Sequence, residues 1–265
     1  MTATTVSAPT QARNVLASEW IKLRSVRSTY LVLLFAAAAA VGIGYLVARA
    51  DVTHSSMSAA EKAAFDPVSS SFTGLGLAQL AFGALGVLVI SSEYTTGLIR
   101  TTFAAVPRRR AVLAAKAAVV GAVTVLAGEL IAFATFFAGQ HAAQRPGVGQ
   151  GHVQVLGRQR LLAAGFYLAV MAWVGLGLGA VIRHTAGAIT AMVGVVFLLP
   201  TTIHALPAPW DTRIGRFTLD GAAQQMIAQH PHAGYFSAGP SLLIVAAYAA
   251  AAIATAAFVI TRRDA

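Results

Sequence analysis

The chain has 265 residues, of which 57 % are hydrophobic and only 11 % are charged. Soluble domains average about 25 % charged residues, so this composition excludes an ordinary soluble domain and indicates a membrane protein. The formal net charge of +10 comes from Lys and Arg at the ends of apolar runs rather than from one basic surface, and we expect no nucleic-acid binding. Cysteine is absent, which excludes disulfides, thiolate metal sites and cysteine nucleophiles.

The first 27 residues join a polar tail to a short amphipathic segment. We predict that residues 1–14 form a disordered tail. After it, Leu16, Trp20 and Leu23 recur at helical spacing and make one apolar stripe. Basic residues lie beside this stripe, at Lys22 and Arg24. Because Trp favours the headgroup region, the segment predicts an interfacial helix on the cytoplasmic face, or alternatively a soluble extension of the first span.

Six apolar segments are long enough to cross a bilayer, which takes about 20 mostly apolar residues in a helix. Lipid offers the backbone no hydrogen-bond partner, so the expected fold is all-α. The predicted spans are residues 30–48, 72–90, 111–139, 161–182, 186–203 and 241–260. Only three residues separate the fourth span from the fifth, which predicts a tight helical hairpin. Residues 15–265 are therefore interpreted as one transmembrane domain.

The distribution of Lys and Arg between the predicted loops indicates the orientation of the chain. With the N-terminus in the cytoplasm, the cytoplasmic side holds twelve of these residues and the outer side holds seven. Cytoplasmic loops carry the excess of Lys and Arg in membrane proteins, so both termini are expected in the cytoplasm. Arg158 and Arg160 run against this pattern, because they precede the fourth span on the outer side.

A polar, basic stretch over residues 91–116 separates the second span from the third and is too polar to lie in lipid. Within it, Leu98, Ile99 and Phe103 fall in one arc at 100° per residue. Arg100 lies on the opposite side of the same helical projection. This pattern predicts a short amphipathic helix on the cytoplasmic side of the membrane.

The residues around this predicted helix, 95–105, leave two interpretations open. Thr95 or Thr96 is expected to cap its start, and Gly97 adds backbone freedom. Together with Glu93 at the end of the second span, the apolar arc favours a helix that docks on a soluble partner. The alternative is a basic anchor that lies in the interface, with the arginines at 108–110 against anionic lipids.

Glu129 is the one acidic residue well inside a predicted span. A charged side chain at the membrane centre costs about 2.5–3.5 kcal/mol on insertion scales, so an intramembrane acid is by default a candidate functional site. Glu129 is expected either to face a substrate path or proton route, or to be neutral and hydrogen-bonded to a neighbouring helix.

Small residues mark places where the predicted helices approach each other closely. Gly175, Gly177 and Gly179 form a strip in the fourth span, and Gly83 and Gly86 lie in the second. In lipid, small residues let helix backbones come close together. The strip predicts close packing either within the chain or between two copies of it.

The outer segment of residues 204–240 is longer than a simple connection needs. Residues 219–229 predict a short helix there, which Gly221 weakens. We expect this segment to dip partly into the membrane, to cap the outer mouth of a path, or to be a structured surface loop. Residues 139–160 are interpreted as a flexible outer loop.

Motifs for catalysis are missing from the sequence. None of the three lysines ends a GxxxxGK[ST] phosphate-binding loop, and neither HExxH nor GxSxG occurs. The seven histidines show no metal-ligand spacing. We therefore expect a non-catalytic membrane subunit, with a stand-alone secondary carrier or channel as the alternative.

Several motifs resemble those of the permease subunits of ABC-2 type ABC exporters, in the actinobacterial style. The matching motifs are ASEWIKLRS at 17–25, SEY at 92–94, Gly97, IRTT at 99–102, VPRR at 106–109 and AK at 115–116. The layout of six spans extends the likeness over most of the chain. The block from residue 93 to residue 109 is the distinctive part.

The resemblance implies a membrane subunit that works with other chains in a bacterial plasma membrane. It implies a homodimer, or a pair with a sister permease, bound to two cytosolic ABC ATPase subunits that hold the ATP and Mg, with no cofactor on this chain. Residues 95–105 become the coupling helix, and Glu93 and Arg100 are expected to orient it. Three apolar side chains would then fill a groove of the ATPase: Leu98, Ile99 and Phe103. Residues 15–27 become the connecting helix, and the outer segment holds re-entrant helices.

Overall fold

The computed structural model describes residues 8–54, 72–143, 153–228 and 232–262, and within these ranges the chain is helical with no strand. The helices in chain order are α1 (Ala8–Ser25), α2 (Arg27–His54), α3 (Leu75–Thr95), α4 (Leu98–Ala105), α5 (Arg109–Ala143), α6 (Val153–Ile182), α7 (Thr185–Val193), α8 (Leu199–His204), α9 (Trp210–Gly215), α10 (Leu219–Ile227) and α11 (Ala238–Arg262). A π-helical segment, Gly194–Leu198, joins α7 to α8.

Within the described ranges, six helical segments are long and apolar enough to cross a membrane, which agrees with the predicted number of spans. They are Arg27–Ala50, Leu75–Thr95, Arg109–Ala142, Arg158–Ile182, Thr185–His204 and Ala238–Arg262. All six are longer than predicted, because the helices continue past the apolar residues into polar ends. The loop predicted at 139–160 is correspondingly shorter: α5 runs to Ala143 and α6 starts at Val153, while residues 144–152 lie outside the described part.

The core of the bundle forms around α6, which packs against α3, α5 and α11. The glycine strip makes this packing possible. Gly175 lies directly against the backbone carbonyl of Gly83, and Gly86 lies against that of Ala172, so α3 and α6 meet backbone to backbone. Of the two interpretations of the strip, the structure shows packing within the chain.

The fifth span is a continuous helix that changes its winding halfway. The backbone N–H of Leu199 donates to the carbonyl of Gly194, five residues earlier, as in a π-helix. Pro200 follows directly and has no N–H to donate, so one hydrogen bond of a regular α-helix is missing at this point. The wider turn accommodates the proline without ending the span.

The N-terminal region differs from the prediction in the extent of its helix. Helix α1 starts at Ala8, so residues 8–14 of the predicted tail are helical; Pro9 suits a first helical turn, and residues 1–7 lie outside the described ranges. The apolar stripe of α1 divides between the protein and its surface. The buried side chains of α1 are Val15, Glu19 and Leu23, whereas Leu16 and Trp20 are exposed. Exposed apolar side chains are also what an interfacial helix presents to the membrane, so the interfacial position of α1 stays a prediction.

The outer segment folds into α9 and α10, and α10 packs against α6 and α11. The predicted short helix is present as α10. Gly221 lies against the carbonyl of Gly215, a position that no larger residue fits, and its N–H donates to Thr218 Oγ1 at 3.0 Å to cap the helix. The glycine therefore serves the packing of α10.

Candidate functional site

A tight turn after α3 sets up one end of the bundle. Gly97 has φ = 72°, a left-handed backbone that favours glycine, and it separates α3 from α4. Thr95 and Thr96 do not cap α4 as predicted, because both hydroxyls donate back to the carbonyl of Ser92 and so belong to the end of α3. The short helix α4 begins at Leu98 without a side-chain cap.

Beside this turn lies a charge cluster, which consists of Glu19, Lys22, Glu93 and Lys116. Lys22 Nζ donates to Glu19 Oε1 at 2.8 Å and to Glu93 Oε1 at 2.9 Å. Lys116 Nζ donates to Glu19 Oε2 at 2.5 Å and to Glu93 Oε1 at 2.9 Å. Each lysine thus bridges both carboxylates, and the closed ring holds α1, α3 and α5 together.

The cluster is buried. Lys116 is only 2 % exposed, Glu19 3 % and Glu93 4 %, while the side chain of Lys22 reaches the surface. Burial alone would lower the pKa of Lys22. The hydrogen bonds to Glu19 and Glu93 and the negative charges of these carboxylates raise the pKa by more than burial lowers it, so it lies above its ordinary value. Two positive and two negative charges balance, which is the condition for burying ions at all.

Helix α4 is attached to the cluster and packs on the bundle with part of its apolar arc. Lys22 Nζ also donates to Thr102 Oγ1 at 3.4 Å. Ile99 is buried, and Phe103 packs against the small group formed by Val15, Val112 and Ala115. Ile99 therefore faces the chain itself, which corrects the expectation that it fills a partner's groove. Leu98 is 52 % exposed, and Arg100 is exposed as well.

Further contacts bring the ends of other helices to this cluster end of the bundle. Arg109 Nη1 donates to the carbonyl of Ile260 at 3.2 Å, next to the end of α11. The guanidinium of Arg183, which follows α6, lies 5.0 Å from the ring centroid of Tyr94. Together with exposed Trp20 and Arg24 on α1, this end carries aromatic and basic side chains of the kind found at a membrane interface.

Glu129 lies apart from the charge cluster, in the middle of α5. Its carboxyl packs against Gly165 of α6, where a side chain would come within 2.6 Å of Glu129 Oε1. Among the described residues, Glu129 Oε2 is buried and has no hydrogen-bond partner. The absence of a side chain at Gly165 thus leaves the space that the Glu129 carboxyl occupies. Among the described residues, Oε2 of Glu129 does not form the hydrogen bond to a neighbouring helix that was one of the two expectations.

Sequence reasoning gave roles to Glu93 and Lys22 but none to Glu19 or Lys116. Two signals in the sequence point to them. Lys116 is a charged residue inside the predicted third span, and Glu19 lies at i+4 from Val15 and i−4 from Leu23. A charge on an apolar helix face requires a partner of opposite charge. In the structure, Glu19 of α1 and Lys116 of α5 are partners of each other.

The fold and this arrangement define a multi-pass membrane protein, with six apolar helices and a charged, helix-bearing end. Comparison of the chain with known protein families and with curated proteins finds no match. Within the described ranges, no three His, Asp or Glu residues come together as metal ligands. The interpretation of the charge cluster therefore depends on its geometry and on the motifs of the sequence.

Proposed function

We propose that this chain is the membrane-spanning permease subunit of an ATP-driven exporter, coupled to a separate cytosolic ATPase. The observation that carries the proposal is the attachment of α4: a short helix with an exposed face is tied through Lys22 and Thr102 to a buried ring of charges. The ring spans α1, α3 and α5. A displacement of α4 would therefore be passed to three helices at once.

The exposed surface of α4 is suited to a protein partner. Leu98 presents an apolar side chain with Arg100 and Thr101 exposed beside it. A helix that docks in a groove does so through apolar side chains, and Leu98 is the large apolar side chain that α4 leaves exposed. The motif resemblance assigns the same segment to contact with an ABC ATPase, which would bind the ATP and Mg, and it also implies a second permease chain.

Room for movement is present next to the ring. A cavity of about 240 Å³ lies between α1, the start of α2, α3 and α4, bordered by Lys22, Glu93 and Leu98. Glu93 Oε2 is buried without a partner in the part of the chain that the structure describes. This oxygen is a ready acceptor for a second arrangement of the lysines, and a coupling element needs two discrete arrangements.

The first test is co-purification from native membranes in a mild detergent. We expect Mg-dependent ATP hydrolysis to elute with the chain, and Leu98→Glu to lower it at least about tenfold because a charge would enter an apolar groove. Leu206→Glu, an exposed leucine beyond the other end of the fifth span, is the matched control and should keep the activity. Hydrolysis that survives Leu98→Glu would contradict the docking role of α4.

A second test addresses the proposed orientation, with both termini in the cytoplasm of a bacterial plasma membrane. The chain has no cysteine, so single thiols report their side without background. Arg108→Cys should react with an impermeant maleimide only after the membrane is opened, whereas Leu206→Cys should react in intact cells. The reverse pattern would place α4 outside, where no ATP is supplied, and would overturn the proposal.

Glu129 supports a second candidate function, a stand-alone secondary carrier or channel. Its buried, unpartnered Oε2 in a span is the kind of group that proton-coupled carriers use. The two candidates differ in their energy source. Transport by the purified chain in vesicles without ATP, lost in Glu129→Gln, would favour the carrier.

A further inference from the structure

The end of the bundle opposite the charge cluster holds a cavity of about 400 Å³ beneath α10. Gln79 in its wall and Glu93 in the cluster are both on α3, about 21 Å apart at 1.5 Å per residue. The polar groups that line the cavity belong to Thr73, Gln79, Tyr167, Asp220, Gln224 and His232. A concave, mostly apolar site with a few convergent polar groups is the usual form of a small-molecule site.

The polar side chains of this cavity are held in place by one another. Tyr167 and Gln79 are buried, and the Tyr167 hydroxyl donates to Gln79 Oε1. Gln224 Nε2 donates to Asp220 Oδ2 at 2.7 Å. The hydroxyl oxygen of Tyr167 and Asp220 Oδ1 accept no bond from these partners, so acceptors remain for a ligand.

A third contact fixes the wall on the side of His232. The backbone N–H of His232 donates to Oε1 of the buried Gln225 at 3.1 Å, which orients the amide. The Nε2 of Gln225 then donates to His232 Nδ1 at 2.8 Å. With Nδ1 as an acceptor, the neutral ring carries its proton on Nε2. The wall is therefore built by specific hydrogen bonds rather than by loose packing.

The charge of the cavity differs in sign from that of the whole chain, which is +10. Among the described lining residues, Asp220 is the one carboxylic acid, and neither Lys nor Arg lines the cavity. Burial raises the pKa of Asp220, and this rise is opposed by the hydrogen bond from Gln224 and by the electrostatic interaction with His204. A cation placed beside Asp220 would offset the same desolvation.

We propose that this cavity binds an organic amine, with its ammonium group against Asp220 and its apolar part against Phe72, Leu75 and Ile227. The acceptors left on Tyr167 and Asp220 match the N–H groups of an ammonium, and the apolar lining matches a short hydrocarbon or aromatic group. The inference does not depend on the proposed function, because it concerns this chain alone and needs no ATPase.

The test is binding of 4-fluorobenzylamine to the purified full chain in detergent, followed by the width of its ¹⁹F NMR signal. The uncharged 4-fluorobenzyl alcohol serves as the matched probe. We expect the amine to bind at least about tenfold more tightly than the alcohol, since a charge-assisted hydrogen bond is lost in the latter. Equal binding of both probes, or no saturable binding of the amine, would overturn the proposal.

Two variants locate the bound amine. Asp220→Asn keeps an acceptor for Gln224 and should weaken amine binding at least about tenfold while leaving the alcohol unchanged. The melting temperature of this variant at neutral pH should not fall. The raised pKa of Asp220 means that its ionised form is less favourable in the folded protein than in the unfolded chain, so removing the charge costs no stability. Thr73→Trp, at an exposed position on the rim, should block both probes. Amine binding unaffected by both variants would place the ligand elsewhere and refute the site.

A labelling experiment tests the same site in membranes. Thr73→Cys in the cysteine-free chain should be protected from a maleimide by 4-fluorobenzylamine at a concentration at least about tenfold lower than the alcohol requires. Gly239→Cys is the control, because a side chain there meets no atom of the described part of the chain within 4 Å and the position lies outside the cavity lining. Equal protection of both thiols would show a general effect on the membrane and contradict the proposal.

Discussion

Lys116→Met is expected to destabilise the protein by about 3–5 kcal/mol, the range found when one partner is removed from a buried ion pair. The substitution leaves Glu19 and Glu93 buried with only the half-exposed Lys22 to balance them. A change of this size corresponds to a fall in melting temperature of about 6–20 °C, measured by thermal unfolding in detergent. Arg100→Met, which removes an exposed charge at the same end, should shift it far less.

A double variant separates the charge imbalance from the loss of packing. Lys116→Met combined with Glu93→Gln leaves one glutamate and one lysine, Glu19 and Lys22, which are bonded at 2.8 Å. Because charge balance is restored, the double variant should be more stable than Lys116→Met alone. If the changes in the free energy of unfolding of the two single variants simply add in the double variant, the ring does not act as a unit. Such a result would contradict its proposed role in passing a motion of α4 to three helices.

The contribution of Lys22 also has a defined dependence on pH. Its pKa is raised in the folded protein, so the stabilisation from its charge is fully present below the unfolded pKa and is lost as the pH rises through the folded pKa. Wild-type protein should therefore lose stability at alkaline pH. Lys22→Met should be less stable at neutral pH and should lose less on the same titration.

The spans could be predicted from the sequence because their signal is local. About 20 consecutive apolar residues identify a transmembrane helix without any knowledge of its neighbours. The hairpin at Arg183 and the unusual winding before Pro200 are likewise governed by a few adjacent residues. At the hairpin and at the π-helical segment, the residues that cause the feature lie within about one helical turn of it.

The charge cluster could not be predicted in the same way, because its pairs join distant segments. Glu19 and Lys116 are 97 residues apart, and no pattern in either segment indicates the other as its partner. Apolar periodicity does not reveal Glu19 on α1 either, because a residue of a buried ion pair counts as polar in such a pattern. The inward direction of Ile99 was missed for a related reason: an amphipathic arc does not show whether it packs on its own chain or on another.

The glycine strip left open whether it packs within one chain or between two, and one substitution distinguishes these cases. Gly175→Ala is expected to destabilise the protein by about 3 kcal/mol or more, because the added methyl group meets the backbone of Gly83, which cannot move without separating α3 from α6. A flexible side chain would give way; a helix backbone does not.

Gly42→Ala is the matched control for this prediction. A methyl group at Gly42 of α2 meets none of the described residues within 4 Å, so the same substitution should be neutral or stabilise the helix by up to about 1 kcal/mol. The loss of stability in Gly175→Ala should not depend on protein concentration, because the two packed helices, α3 and α6, belong to one chain. A destabilisation that disappears at high concentration would instead locate the contact between two copies, and the arrangement of α3 and α6 described above would be wrong.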